Sequence, residues 1–181
     1  MIKRFHRFTY CFILGLLIIA GCNTTNKKSD TFDYISIASS PCYGRCPSYQ
    51  LELQNDGLFT FHGSSNCQKT GSFQGKLTNE EMNEIETYFS QLTLKKDSTI
   101  FPTPIDANEA VVQLKIHGKA YYFYGCPSYF PNNLKKIRKE LFNLAETSKL
   151  DKTKKILKFK ANLPKPFMRP MIPFLPPIKE E

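Results

Sequence analysis

The chain has 181 residues and a formal net charge of +9, a balance that invites a nucleic-acid reading. Counted by segment, the excess leaves the middle of the chain: residues 1–21 carry +3, residues 22–30 carry +1 and residues 151–181 carry +5, while residues 31–150 hold 12 Lys and Arg against 12 Asp and Glu. A neutral middle lacks the cationic footprint that a phosphate backbone requires, which excludes a nucleic-acid partner, and its roughly 120 residues suffice for one core and not for two.

The N-terminus has the three zones of a secretory signal in order. Lys3, Arg4, His6 and Arg7 are basic, Phe8 to Ala20 carries no charge, and Ile19-Ala20-Gly21-Cys22 reads as a lipobox. A peptidase must accept extended backbone before Cys22, hence the small residues, and the thiol must be free to form a thioether. The apolar run is well short of the roughly 20 residues that span a bilayer. Residues 1–21 are therefore expected to be a signal peptide and Cys22 the lipidated first residue of the mature protein. Asn23 rather than Asp at the next position favours the outer membrane by the enterobacterial sorting convention. The expected location is the bacterial cell envelope, with the domain on the periplasmic or exterior side.

After a polar linker to Asp30, a single domain is expected over 31–150. Ile35 and Ile37 begin a short strand, and Tyr49, Leu51 and Leu53 alternate with Gln50, Glu52 and Gln54 as a half-buried strand does. Asn55-Asp56-Gly57 follows. A three-residue loop with Gly57 left-handed pairs Leu53 with Phe59 and Leu51 with Phe61, whereas a two-residue loop splits the apolar set across both faces. Gly71 to Leu77 supplies another strand around Phe73. Thr78-x-x-Glu81 is a capping box opening a helix whose Met82, Ile85, Tyr88, Phe89 and Leu92 share a face. Beyond the proline-containing loop 101–105, Val112, Leu114 and Ile116 alternate into Gly118-Lys119. A type II′ turn there pairs Ile116 with Tyr121 and Leu114 with Phe123. Leu134, Ile137, Leu141, Leu144 and Ala145 give a last amphipathic helix, entered through Pro131-Asn132-Asn133. The fold class expected is α+β: an antiparallel sheet of about five to six strands with two helices on one face.

Cys42-Tyr43-Gly44-Arg45-Cys46-Pro47, after an Ile-rich strand and before alternating apolar residues and Asn55-Asp56-Gly57, resembles the bacterial family of domains of unknown function 6438. The resemblance spans about residues 33–147 and is more specific in its first half; Ile105-Asp106-Ala107-Asn108 stands where members carry a Thr-Asp-x-Pro-type segment. Members are frequently lipid-anchored or secreted, and the resemblance implies no activity.

Apart from Cys11 in the signal and Cys22, four thiols remain, and an oxidising envelope makes two disulfides the expectation, with three connectivities open. The resemblance implies Cys42 with Cys46, which leaves Cys67 with Cys126. An alternative function is copper binding or thiol redox chemistry at Cys42 and Cys46, because Cys-x-x-x-Cys-Pro also occurs in copper-chaperone lipoproteins, where two thiolates and a distant His take a soft metal. His62 and His117 are then the candidate further ligands. Against it, an alternating strand follows the motif where that fold has a helix.

No catalytic set is assignable: two histidines without a nucleophile and an Asp make no triad. Glu80, Glu81 and Glu84 sit in first helical turns, where they complement the dipole. Phosphate-loop, His-Glu-x-x-His and zinc spacings are absent, so no cofactor is expected. What remains is a non-catalytic binding or structural module with an envelope-protein or cell-wall partner. Tyr122 and Tyr124 are candidate contacts on the sheet face away from the apolar set. The tail 151–181 is expected to be extended or disordered. Its basic half, with Lys154 and Lys155, suits anionic headgroups, and its proline-rich half, with Phe167 and Phe174, suits a groove on another protein.

Overall fold

Residue alternation builds the sheet of the computed structural model, which describes residues 28–164. Eight strands are present among these: β1 (Tyr34–Ser39), β2 (Tyr49–Gln54), β3 (Leu58–Gly63), β4 (Gly71–Lys76), β5 (Ser98–Ile100), β6 (Ala110–Ile116), β7 (Lys119–Gly125) and β8 (Asp151–Lys152). Their order is β5-β7-β6-β1-β2-β3-β4-β8, antiparallel throughout except for β5 beside β7. The expected count of five to six is too low because β5 and β8, three and two residues long, have no alternation to reveal them. Both are edge strands made by pairing to a neighbour already in place. The fold class is α+β, with helices α1 (Asn79–Ser90) and α2 (Asn132–Thr147).

One face of the sheet presents Ile35, Ile37, Leu51, Leu53, Phe59, Phe61, Val112 and Leu114, all fully buried. Met82, Ile85 and Phe89 of α1, with Leu134, Ile137, Leu141 and Ala145 of α2, close the same cluster. Both helices thus cover that face. Truncating one such leucine to alanine costs about 2–5 kcal/mol in a core of this kind. Phe32 stacks on Phe89 with centroids 4.3 Å apart, tying the approach to β1 onto α1. The α1 capping box forms in full: Thr78 Oγ1 accepts the Glu81 N–H at 3.2 Å and Glu81 Oε2 accepts the Thr78 N–H at 2.8 Å.

The β2–β3 loop has Gly57 at φ 82° and pairs Leu53 with Phe59 and Leu51 with Phe61. The β6–β7 hairpin turns one residue earlier than expected. His117 (φ 47°) and Gly118 (φ 79°) are the loop, both left-handed as a type I′ turn requires, so Ile116 pairs with Lys119, Leu114 with Tyr121 and Val112 with Phe123. The Asp33 carboxylate accepts the Gly118 N–H at 3.0 Å and holds this turn, an interaction from outside the hairpin. A shift of two residues leaves every side chain on its intended face.

The chain beyond residue 150 joins the fold. β8 pairs with β4, and Thr153 N–H bonds the Ser72 carbonyl at 2.9 Å. The chain then crosses the sheet face opposite the helices. Lys160 N–H bonds Glu52 Oε2 at 3.0 Å, its ammonium pairs with Glu52 Oε1, and Ala161 N–H bonds Ser36 Oγ at 3.0 Å. Ala161 and Leu163 pack with Ala38, Val111, Tyr122 and Tyr124. Residues 151–164 are thus an extended strap rather than a free tail; Phe167, Phe174, Cys22 and residues 1–21 lie outside the described residues. Glu52 is 4% exposed, so its partner is consequential, although the Lys160 side chain is 43% exposed. Lys160→Met is expected to lower unfolding free energy by about 1–2 kcal/mol in urea titration, less than a fully buried pair would lose. The loss should shrink in a Glu52→Gln background.

Candidate functional site

β1 and β7 run parallel, so their C-terminal ends lie at one end of the sheet. The loop leaving β1 and the β5–β6 loop wall a cleft of about 660 Å³ there. One wall is Ser40 to Tyr43, the other Thr103 to Ala107 with Glu109, and Tyr124 contributes from β7. Backbone bonds fasten the walls together. Ser40 N–H bonds the Glu109 carbonyl at 2.8 Å, Glu109 N–H bonds Ser40 Oγ at 2.7 Å, and Tyr43 N–H bonds the Asp106 carbonyl at 3.2 Å. Cys42 and Cys46 are joined by a disulfide, closing a five-residue ring on the rim. Tyr43 is 92% exposed and Ile105 78% exposed, so each wall presents an apolar side chain to solvent, while Glu109 and Tyr124 are buried.

Ser40 donates to the Pro41 carbonyl at 3.0 Å and accepts from Glu109 N–H. Its proton is committed to a carbonyl, and no histidine lines the cleft to act as base. The residues proposed for copper are not gathered. Cys42 and Cys46 are bonded to each other, His117 sits in the β6–β7 turn beside Asp33, at the opposite end of β1, and His62 lies on β3 with Nδ1 3.0 Å from Ser72 Oγ. Among the described residues no group of three or more His, Cys, Asp or Glu is placed to hold a metal ion.

Cys67 and Cys126 are free thiols, which corrects the second expected bridge. Cys126 follows β7 and Cys67 follows β3. Four strand spacings separate those strands, about 19 Å, against the 7 Å between Cα atoms that a disulfide tolerates. Each thiol has a local partner: Cys67 Sγ donates to the Ser48 carbonyl at 3.4 Å, and Cys126 Sγ is 3.1 Å from Ser128 Oγ. Tyr122 and Tyr124 also differ from expectation. The strap covers them, leaving Tyr124 5% exposed and Tyr122 half-buried. Lys154 and Lys155 are exposed.

A second polar cluster, invisible in the sequence, fastens the β3–β4 loop to α2. Glu146 Oε2 accepts the N–H groups of Gln68 and Lys69 at 2.7 and 3.2 Å. Lys69 Nζ caps the last turn of α2 through the carbonyls of Ala145 and Ser148, at 3.0 and 2.6 Å, where a cation meets the negative end of the helix dipole. Arg138 donates to the Tyr49 hydroxyl at 3.1 Å. These residues lie between 49 and 148, and no short spacing joins the loop to the helix.

The fold and cleft together define a small α+β module with a disulfide-closed loop on the rim of its cleft. The family model for the domain of unknown function DUF6438 matches residues 33–145, most of the described chain, and the protein belongs to that family. A search of curated proteins returns no match.

Two outcomes check this chemistry. Burial pushes the Cys67 thiol up, with nearby Glu146 acting in the same direction, so the native protein should alkylate at Cys67 more slowly than free cysteine near neutral pH. Mass spectrometry after unreduced denaturation should find Cys67 and Cys126 labelled, with Cys42 and Cys46 protected. Burial also raises the Tyr49 phenol, against the pull of Arg138. The folded state therefore keeps that proton longer than the unfolded chain. Its contribution is complete below the ordinary tyrosine pKa of about 10 and is lost as pH rises beyond it. Tyr49→Phe should flatten the alkaline limb of a stability-against-pH curve.

Proposed function

We propose that the protein is a lipid-anchored bacterial envelope module, attached through Cys22 and favouring the outer membrane, that binds a protein or cell-wall partner without catalysing a reaction. The lipobox Ile19-Ala20-Gly21-Cys22 supports the anchor. The observation that carries the binding reading is the cleft between the disulfide loop and residues 103–109, with Tyr43 and Ile105 exposed on facing walls. Exposed aromatic and aliphatic side chains on rigid loops form contacts at little entropic cost.

The first described residues and the cleft stand at opposite ends of the sheet. Ser29 N–H bonds the Asn55 carbonyl in the β2–β3 loop, so the chain from the membrane enters at the end remote from the cleft. A partner reaching across the envelope meets an open site.

A photoreactive residue at position 43 should crosslink one dominant partner in intact cells, and Ile105→Asp should abolish that product while the protein remains membrane-bound. Unchanged crosslinking in the Ile105→Asp protein would remove the cleft from this role. Cys42→Ser with Cys46→Ser should lower stability by about 2 kcal/mol, the chain entropy of a short loop, while cutting partner capture more than tenfold. Cys22→Ser should release the protein from membranes and eliminate labelling by radioactive fatty acid.

A further inference from the structure

The strap carries a feature that its packing role leaves unused. Between the Thr153 bond to Ser72 and the Lys160 bond to Glu52, residues 154–159 cross the sheet face formed by β2, β3 and β4. Both ends are fixed, and Lys155 N–H bonds Thr153 Oγ1 at 3.1 Å to make a local turn. Inside this clamp Ile156 is 93% exposed, and Lys154, Lys155 and Lys158 are exposed around it. The clamp thus holds an isoleucine outward among three lysines.

The strands beneath add no negative charge: the positions of β3 and β4 on this face are Leu58, Thr60, His62, Ser72, Gln74 and Lys76, with no carboxylate among them. Glu52 is already paired with Lys160, which leaves Asp151 of β8, opposite Gln74, set against Lys76 and the three lysines of the loop. A single isoleucine is too small an apolar area for a stable protein interface. It suits a bilayer surface, where an apolar tip enters the headgroup boundary while lysine stems keep their ammonium groups hydrated beside phosphates.

We propose that the 154–158 loop is a docking surface for an anionic phospholipid bilayer, with Ile156 entering the interface and Lys154, Lys155 and Lys158 meeting headgroup phosphates. The clamp removes most of the ordering cost of that contact. Docking lays the strap-covered face of the sheet along the bilayer and leaves the cleft at its end open to the side. The contact is independent of both the lipid on Cys22 and the cleft's partner.

The test uses residues 23–181, which retain every described residue and carry no lipid, with vesicles of phosphatidylcholine alone or with phosphatidylglycerol. Sedimentation should show binding to the phosphatidylglycerol vesicles that weakens as salt rises to about 0.5 M. Each lysine near an anionic surface contributes about fivefold in partitioning, so Lys154→Gln, Lys155→Gln and Lys158→Gln together should reduce it roughly 100-fold. Ile156→Asp should reduce it roughly tenfold. Amide exchange at 154–158 should slow when vesicles are added to the parent protein. Equal binding to both vesicle types would overturn the proposal. So would a triple variant that binds like the parent, or a loss seen only when Lys165 and Arg169 are replaced.

Discussion

Strand β1 is buried on both faces, and this constraint governs the rest of the molecule. It lies between β2 and β6 near the middle of the sheet, with Ile35 and Ile37 against the helices and Ser36 and Ala38 on the reverse side, all fully buried. The helices cover only one side. On the other, the strap takes the Ser36 hydroxyl and the Glu52 carboxylate out of water, and each group so buried without a donor would cost about 1–3 kcal/mol or more. Residues 160–163 supply them with two backbone N–H groups and an ammonium. The folded unit therefore ends past residue 160, where the sheet is sealed, rather than where the last helix stops.

Sealing the middle leaves the sheet ends for other purposes, and they are used differently. At one end the incoming chain, the β2–β3 loop and the β6–β7 turn are held together by short contacts, including those of Ser29 with Asn55 and Asp33 with Gly118. At the other, longer loops diverge around a cleft and are stapled by the Ser40–Glu109 backbone bonds and the Cys42–Cys46 disulfide. Rigid strands that terminate in longer, pinned loops are a common way for small sheets to present a binding surface.

The cysteines show how topology overrides composition. Four thiols expected in an oxidising compartment invite two bridges, yet β7 and β3 are separated by β6, β1 and β2, and no side chain reaches across three strands. Cys42 and Cys46 bond because they flank one tight loop. Cys67 instead joins the contact between the β3–β4 loop and α2, near Tyr49 and Glu146.

Local patterns were sufficient for much of this. Alternation located β2 and β3 and set their register, because a loop one residue shorter sends Leu51 and Leu53 to opposite faces from Phe59 and Phe61. Helical spacing with the Thr78 capping box located α1, and the apolar stripe from Leu134 to Ala145 located α2. The cleft was legible only in part: Cys42 and Cys46 stood out, whereas Glu109, Ile105 and Asp106 reach it through loops whose course carries no periodic signal. Tertiary structure alone decided the β6–β7 turn, since the choice between His117-Gly118 and Gly118-Lys119 rests on a carboxylate from Asp33, outside the hairpin. It alone decided β5, β8 and the strap, which are too short or too polar to declare themselves and become ordered by hydrogen-bonding to groups that the rest of the sheet has already placed.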